Sequence, residues 1–182
     1  KERFFGLTGS ESNHGEDVKE IYYYQDSTPT HSYQKMLYKY PQTAFPYSKL
    51  VEESKKRTRT EPEYELVDTG VFDKDAYFDI TMEYAKADEQ DLLIKITVEN
   101  HSKIAAPITV LPTVWFRNTW CWGYENYKHK PSLNGIGRSH IEINHQLVGH
   151  FNLYAENVDE FLFCENETNF EKLYNSPPVA TW

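Results

Sequence analysis

The run Val110 to Gly123, VLPTVWFRNTWCWG, gathers residue types able to hold a sugar. Trp115, Trp120 and Trp122 are three of the chain's 4 tryptophans, and they stand beside Arg117 and Asn118. Indole faces stack on the C–H faces of a sugar ring, while guanidinium and amide groups bind its hydroxyls in the plane. Tryptophan is also costly to leave in water, and it needs a partner for its N–H when buried. The same run therefore suits a cluster at a sheet end that packs against another domain. On the residues alone, both readings stand.

Other candidate chemistry is thinner. A glycosidase needs two carboxyls placed across a sugar, one acid and one base or nucleophile. Glu16 and Asp17, beside His14 in the glycine loop NHGEDVKE, are the most suggestive carboxylates; a solvated loop is the plainer reading. Asp73 and Asp75 in DKDAYFD resemble the start of a calcium loop, but the glycine and closing glutamate of an EF-hand are missing. A turn entering a strand accounts for them. His31, His140, His145 and His150 lack metal-ligand spacing, and Cys121 and Cys164 form no CxxC pair, so no metal site is expected and the thiols should be separate and reduced. Asn166-Glu167-Thr168 matches a glycosylation sequon, a pattern common by chance. GxSxG, P-loop and Rossmann fingerprints are absent. No cofactor is expected, and no residue of the chain is assigned a catalytic role.

Composition excludes two partner classes. The 182 residues carry 19 basic and 28 acidic side chains, a net charge of −9. A nucleic acid would be repelled. The cluster Lys55-Lys56-Arg57-Thr58-Arg59 sits among glutamates and reads as a solvated helix end. No apolar run approaches the ~20 residues of a membrane span. Aromatic residues make up 15% of the chain, with 14 tyrosines, which suits sheet faces and sugar platforms alike. The chain opens at Lys1 with no methionine and closes at PVATW, and so reads as a piece of a longer polypeptide.

The elements that must position these residues are mostly strands. YFDITMEY and LLIKITVE alternate with a period of two across the polar KADEQD, which predicts an antiparallel hairpin over 76–99 with Phe78, Ile80, Ile94 and Ile96 buried. A third strand is expected over Ile108–Phe116, with Pro112 at an edge or bulge. IYYYQD, SHIEINHQLV, HFNLYAE and EFLFCEN read as further strands, and KHKPSLNGIG as a turn-rich loop. Two short helices are expected, one in STPTHSYQKMLYKYP capped by Ser27 or Thr30, the other in PYSKLVEESKKR opened by Pro46. The fold class expected is mainly β, an antiparallel β-sandwich with a few short helices, forming a single domain over 1–182. Trp120 and Trp122 would then emerge at a strand end, near the loop with His14 and Glu16.

Three long motifs carry a resemblance. FGLTGSESNHGEDVKEIYYYQDSTPTHSYQKMLYKYPQTAFPY, DTGVFDKDAYFDITMEYAKAD and VLPTVWFRNTWCWG occur in order and resemble the N-terminal region of bacterial proteins related to glycoside hydrolase family 63. The resemblance covers most of residues 1–125 and weakens beyond Pro131. It implies an N-terminal β-sandwich followed by an (α/α)6 barrel, with the Asp and Glu of an inverting α-glucosidase on the barrel. No segment here has that barrel's repeated long helices, so the catalytic pair transfers to no residue of this chain. The implied role is an accessory β domain that packs on the barrel in cis and shapes the cleft for an oligosaccharide, inactive by itself. A free-standing carbohydrate-binding module and a structural β domain without sugar contact are the alternatives.

Overall fold

The computed structural model describes residues 21–166 and Asn175. The chain is mainly β, about 38% strand and 14% helix, with two antiparallel sheets and short helices. Its described residues divide into two compact units, one of 21–109 with Asn175 and one of 110–166.

The first unit holds a sheet in the order β1 (Ile21–Ser27), β2 (Tyr33–Pro41), β3 (Tyr77–Asp88), β4 (Asp91–Asn100), all antiparallel. Its register sorts the side chains by chemistry. Tyr22, Tyr38, Ile80 and Val98 form one cross-strand row, and Tyr24, Met36, Met82 and Ile96 the next, on one apolar face. The opposite face carries the row Lys35, Glu83, Lys95, whose signs alternate from strand to strand, and the row Lys39, Asp79, Glu99, in which two acids on β3 and β4 stand opposite each other. Lys39 Nζ lies 2.6 Å from Asp79 Oδ1. Burial tends to lower the Lys39 pKa, but its bond to Asp79 and that carboxylate's charge outweigh this and raise it.

The β3–β4 hairpin forms over the residues that alternate in sequence. Its burial is less even than the pattern implies. Phe78 is buried, Ile80 and Ile96 are half-buried, and Ile94 is 50% exposed. The reason is position: β4 is an edge strand, and nothing among the described residues pairs with its outer side.

Residues 33–41 form β2, not the expected helix. Tyrosines at 33, 38 and 40 favour a pleated face, and the Ser/Thr cluster builds a turn instead of a cap. The Thr28 hydroxyl accepts the N–H groups of Ser32 at 2.9 Å and Tyr33 at 3.1 Å, and His31 takes φ of 52°. The second helix is found as expected: α1 spans Tyr47–Lys56, with Pro46 at the N-cap and Lys55 and Lys56 in the last turn. Its apolar stripe sinks Leu50 completely, against Ile21, Tyr64 and Leu66. The 3-10 turn Leu66–Thr69 is locked by a reciprocal pair of bonds, between the Glu65 side chain and the Asp68 N–H and between the Asp68 side chain and the Glu65 N–H. Gly70 closes it at φ 80°. Asp73 and Asp75 lie in the turn that enters β3, as expected.

The second unit holds β5 (Ser132–Ile136), β6 (His140–His145) and β7 (Gly149–Tyr154), an antiparallel meander. Ile141 and Ile143 are buried on one face, where the Phe163 ring crosses Gly135 so closely that a Cβ there would meet it at 3.2 Å. Part of the expected loop KHKPSLNGIG is thus strand, because Leu133 pairs with Ile143 and completes that face. Two expected strands are absent. Residues 103–118 are irregular, since Pro107 and Pro112 lack the N–H a ladder needs. Residues 161–166 make no ladder either; there Phe163 caps the sheet face instead of joining an edge.

Candidate functional site

The tryptophan run lies in the second unit, and its backbone is a turn, not a strand end. After the irregular segment through Arg117, Thr119 N–H donates to Arg117 O at 2.7 Å and turns the chain. Residues Thr119–Trp122 then form a 3-10 helix with Asn118 at its N-cap and Gly123 at its C-cap, at φ 78°. Only glycine takes that angle without strain. The expected strand end is therefore corrected, and the cause is the loss of the Ile108–Phe116 strand.

This turn fans the side chains outward. Trp115 is 67% exposed, Trp122 is 46% exposed, and Trp120 is half-buried. The Arg117 guanidinium carbon lies 4.8 Å from the Trp122 ring centre, a cation–π contact. Tyr124 meets Trp122 edge-on at 6.3 Å. Asn118 is half-buried beneath the turn, and the Cys121 thiol bonds its carbonyl at 2.8 Å. Cys121 and Cys164 are free and exposed. Arg117, Asn118, Trp120 and Trp122 are thus brought together, with Trp115 on the segment leading in. His14 and Glu16 lie outside the described residues.

Two anchors hold the ledge. Asn166 clamps Phe116 from both sides: its Oδ1 accepts the Phe116 N–H at 3.1 Å, and its Nδ2 donates to Phe116 O at 2.8 Å. The Phe116 ring rests on the His145 imidazole at 4.8 Å. His145 Nδ1 in turn accepts the N–H groups of Leu147 and Val148, each at 3.1 Å, and so shapes the β6–β7 turn.

Beside the ledge is a feature the sequence reading missed. An open hollow of about 520 Å³ is lined by His129, Lys130, Ser132, Asn144, His145 and Gln146, with Gly149 at its edge. Lys130 joins it to the ledge, since its Nζ lies 5.9 Å from the Trp120 ring centre and 2.6 Å from Glu165 Oε2. The bond to Lys130 and its charge hold the Glu165 carboxyl below its usual range. The hollow therefore offers amide, hydroxyl, imidazole and ammonium groups beside an indole. Its one sequence signal is KHKP placed just before β5, which looks like ordinary loop composition. Among the described residues no group of three or more His, Cys, Asp or Glu could hold a metal ion. No helix among them is long and apolar enough to cross a membrane.

No protein-family profile matches the chain, and no solved structure matches it. It is similar to "Uncharacterized protein YMR196W" of Saccharomyces cerevisiae, with 38% identity over 208 residues. The match takes in 96% of this chain but only 19% of that protein's length.

Proposed function

We propose that this chain is a non-catalytic accessory domain of a larger α-glycosidase related to glycoside hydrolase family 63. In that protein it packs on an (α/α)6 catalytic barrel in cis and lends its tryptophan ledge to the rim of the oligosaccharide cleft. The observation that carries the reading is the ledge itself. Trp115, Trp122 and Tyr124 stay exposed, with Arg117 stacked on Trp122, and a hollow edged by His129, Lys130, Ser132 and Asn144 opens beside Trp120. Flat rings next to hydroxyl-binding groups are what a sugar surface needs. The yeast relative supports the setting, because a region of this size is 19% of that polypeptide. The glycosidase assignment itself comes from the resemblance of the three motifs.

The test is Trp120→Ala in the full-length protein. Substrate binding should weaken by about 1–3 kcal/mol for the lost stacking surface, with the fold intact. The pure 182-residue chain should not turn over an α-glucoside. Unchanged affinity in a folded Trp120→Ala protein would sink the cleft role. Steady turnover by the chain alone, lost on mutating one of its own carboxylates, would sink the accessory role. If the chain alone binds glucosides in calorimetry as tightly as the whole protein does, it is instead a free-standing binding module.

A further inference from the structure

We propose that β4 is an interior strand of the complete sheet, and that its outer edge pairs with a further β-strand supplied by the same polypeptide outside these 182 residues. The inference uses the reading that the chain is one portion of a longer polypeptide, and it is independent of the glycosidase assignment.

The residues of β4 argue against a finished edge. Native edge strands are kept short, bulged, or interrupted by proline and inward charges, because a row of unpaired N–H and C=O groups otherwise recruits another chain. The opposite edge follows that rule: β1 slips register between Tyr24 and Asp26, and then ends in Asp26 and Ser27. On β4 the pairing to β3 runs unbroken from Leu92 to Asn100, and the only slip lies at the turn, between Lys86 and Asp88. The strand has no proline. Leu92, Ile94, Ile96 and Val98 line one face and Leu93 lies on the other, and all but Ile96 are exposed. A long, regular and apolar edge left open in this way invites pairing with another strand, so native proteins pair or cover it.

The register also specifies the partner. Ile94, Ile96 and Val98 continue the rows of Tyr84, Met82 and Ile80, so the incoming strand must be apolar on that face. On the other face Lys95 and Glu99 flank Thr97, both charges exposed at the edge. Lys95 reaches Glu83 only at 3.7 Å and is 74% exposed, leaving it available to a second carboxylate. The partner strand should therefore place an acid opposite Lys95 and a base opposite Glu99, since opposite charges stabilise and like charges destabilise a cross-strand pair. A source in cis fits the yeast relative, in which the matched region is 19% of the length and most of the polypeptide remains to supply a strand.

Amide hydrogen exchange with mass spectrometry tests this. The 182-residue chain and the full-length yeast protein are compared, following Asp91–Asn100 here and its aligned segment there, with sedimentation run on both. In the isolated chain, alternate β4 amides should exchange rapidly. In the full-length protein, as a monomer, that outer set should slow by about a hundredfold or more. Equally fast exchange in both proteins would overturn the proposal, since the edge would then be open in the native protein. Protection that comes and goes with dimerisation of the full-length protein would also overturn it, because a second copy would then hold the edge. Neither outcome depends on glucosidase activity, so failure here is distinct from failure of the proposed function.

Discussion

Leu66→Ala is the sharpest test of how the first unit is held together. Leu66 has no exposed surface, yet it sits in a four-residue 3-10 turn instead of a strand. Truncation removes its packing against Leu50, Tyr64 and Ile21. Buried Leu→Ala changes cost about 2.7–5 kcal/mol, and the spread depends on how far the site collapses. Two features act in opposite directions here. The backbone is pinned by Tyr64 Oη donating to Asp68 O at 3.1 Å and Thr69 Oγ1 donating to Leu66 O at 2.6 Å, so collapse is resisted. Against that, Leu66 borders a hollow of about 230 Å³ shared with Ile21, Tyr22, Tyr23 and Val67, so solvent can enter the space it leaves. Solvent entry removes the extreme cavity cost and puts the loss near ~3 kcal/mol. With a urea m-value of roughly 2 kcal/mol/M, the midpoint should fall by about 1.5 M at unchanged slope, read by far-UV circular dichroism. Val67→Ala is the control: its side chain is 56% exposed, and its cost should stay within about 0.5 kcal/mol. If the two variants lose the same amount, or Leu66→Ala loses less than about 1 kcal/mol, the turn is not part of the core.

Three further outcomes are expected. Phe78→Ala should cost about 3–5 kcal/mol and Ile94→Ala less than about 1 in urea unfolding, because the first side chain is 3% exposed and the second 50%; equal costs would mean that β4 is covered in the isolated chain. Gly70→Ala should be worse than Gly137→Ala. Both glycines have positive φ, which costs a side chain about 1–2 kcal/mol, but only at Gly70 does a Cβ also come within 2.8 Å of Asp73 Oδ2; a larger loss at Gly137 would refute this. The Tyr33 hydroxyl bonds Glu83 Oε1 at 2.7 Å, and that bond, with the charges of Lys95 and Lys35, holds the Glu83 carboxyl below its ordinary 4.5. A carboxyl lowered in the folded state stabilises fully above its unfolded value, and that stabilisation is lost as pH falls from 4.5 through the folded value. Urea titrations should therefore show a shallower acid limb for Glu83→Gln than for the parent, and parallel limbs would count against the bond.

Strand periodicity was the part of the fold that the sequence displayed best. YFDITMEY and LLIKITVE alternate cleanly, and so β3 and β4 were legible as an antiparallel hairpin, while their register is seen only in the fold. The same logic failed where local chemistry had two uses. Ser27, Thr28 and Thr30 suit a helix cap as well as a turn, and only the accepting Thr28 hydroxyl decides between them. Alternation in PITVLPTVWF suggested a strand, but no neighbour among the described residues supplies a ladder and two prolines withhold donors. Burial was misjudged at Ile94, because periodicity reports which face a residue takes and not whether anything covers that face. At the candidate site, the tryptophans, Arg117 and Asn118 announced themselves by type. The hollow did not, since His129, Lys130, Asn144 and Gln146 are ordinary loop and turn residues until the meander sets them side by side.

The two N–H groups that converge on His145 Nδ1 have a consequence for the ring itself. An imidazole nitrogen that accepts hydrogen bonds must present a lone pair, so the neutral ring carries its hydrogen on Nε2. One tautomer is thereby selected by the backbone of the turn it shapes. The imidazole does there what an asparagine or aspartate side chain does in an Asx turn, gathering the amides of the residues that follow it. Replacing His145 by leucine would leave both amides without their acceptor, loosen the turn between β6 and β7, and free the surface on which Phe116 rests.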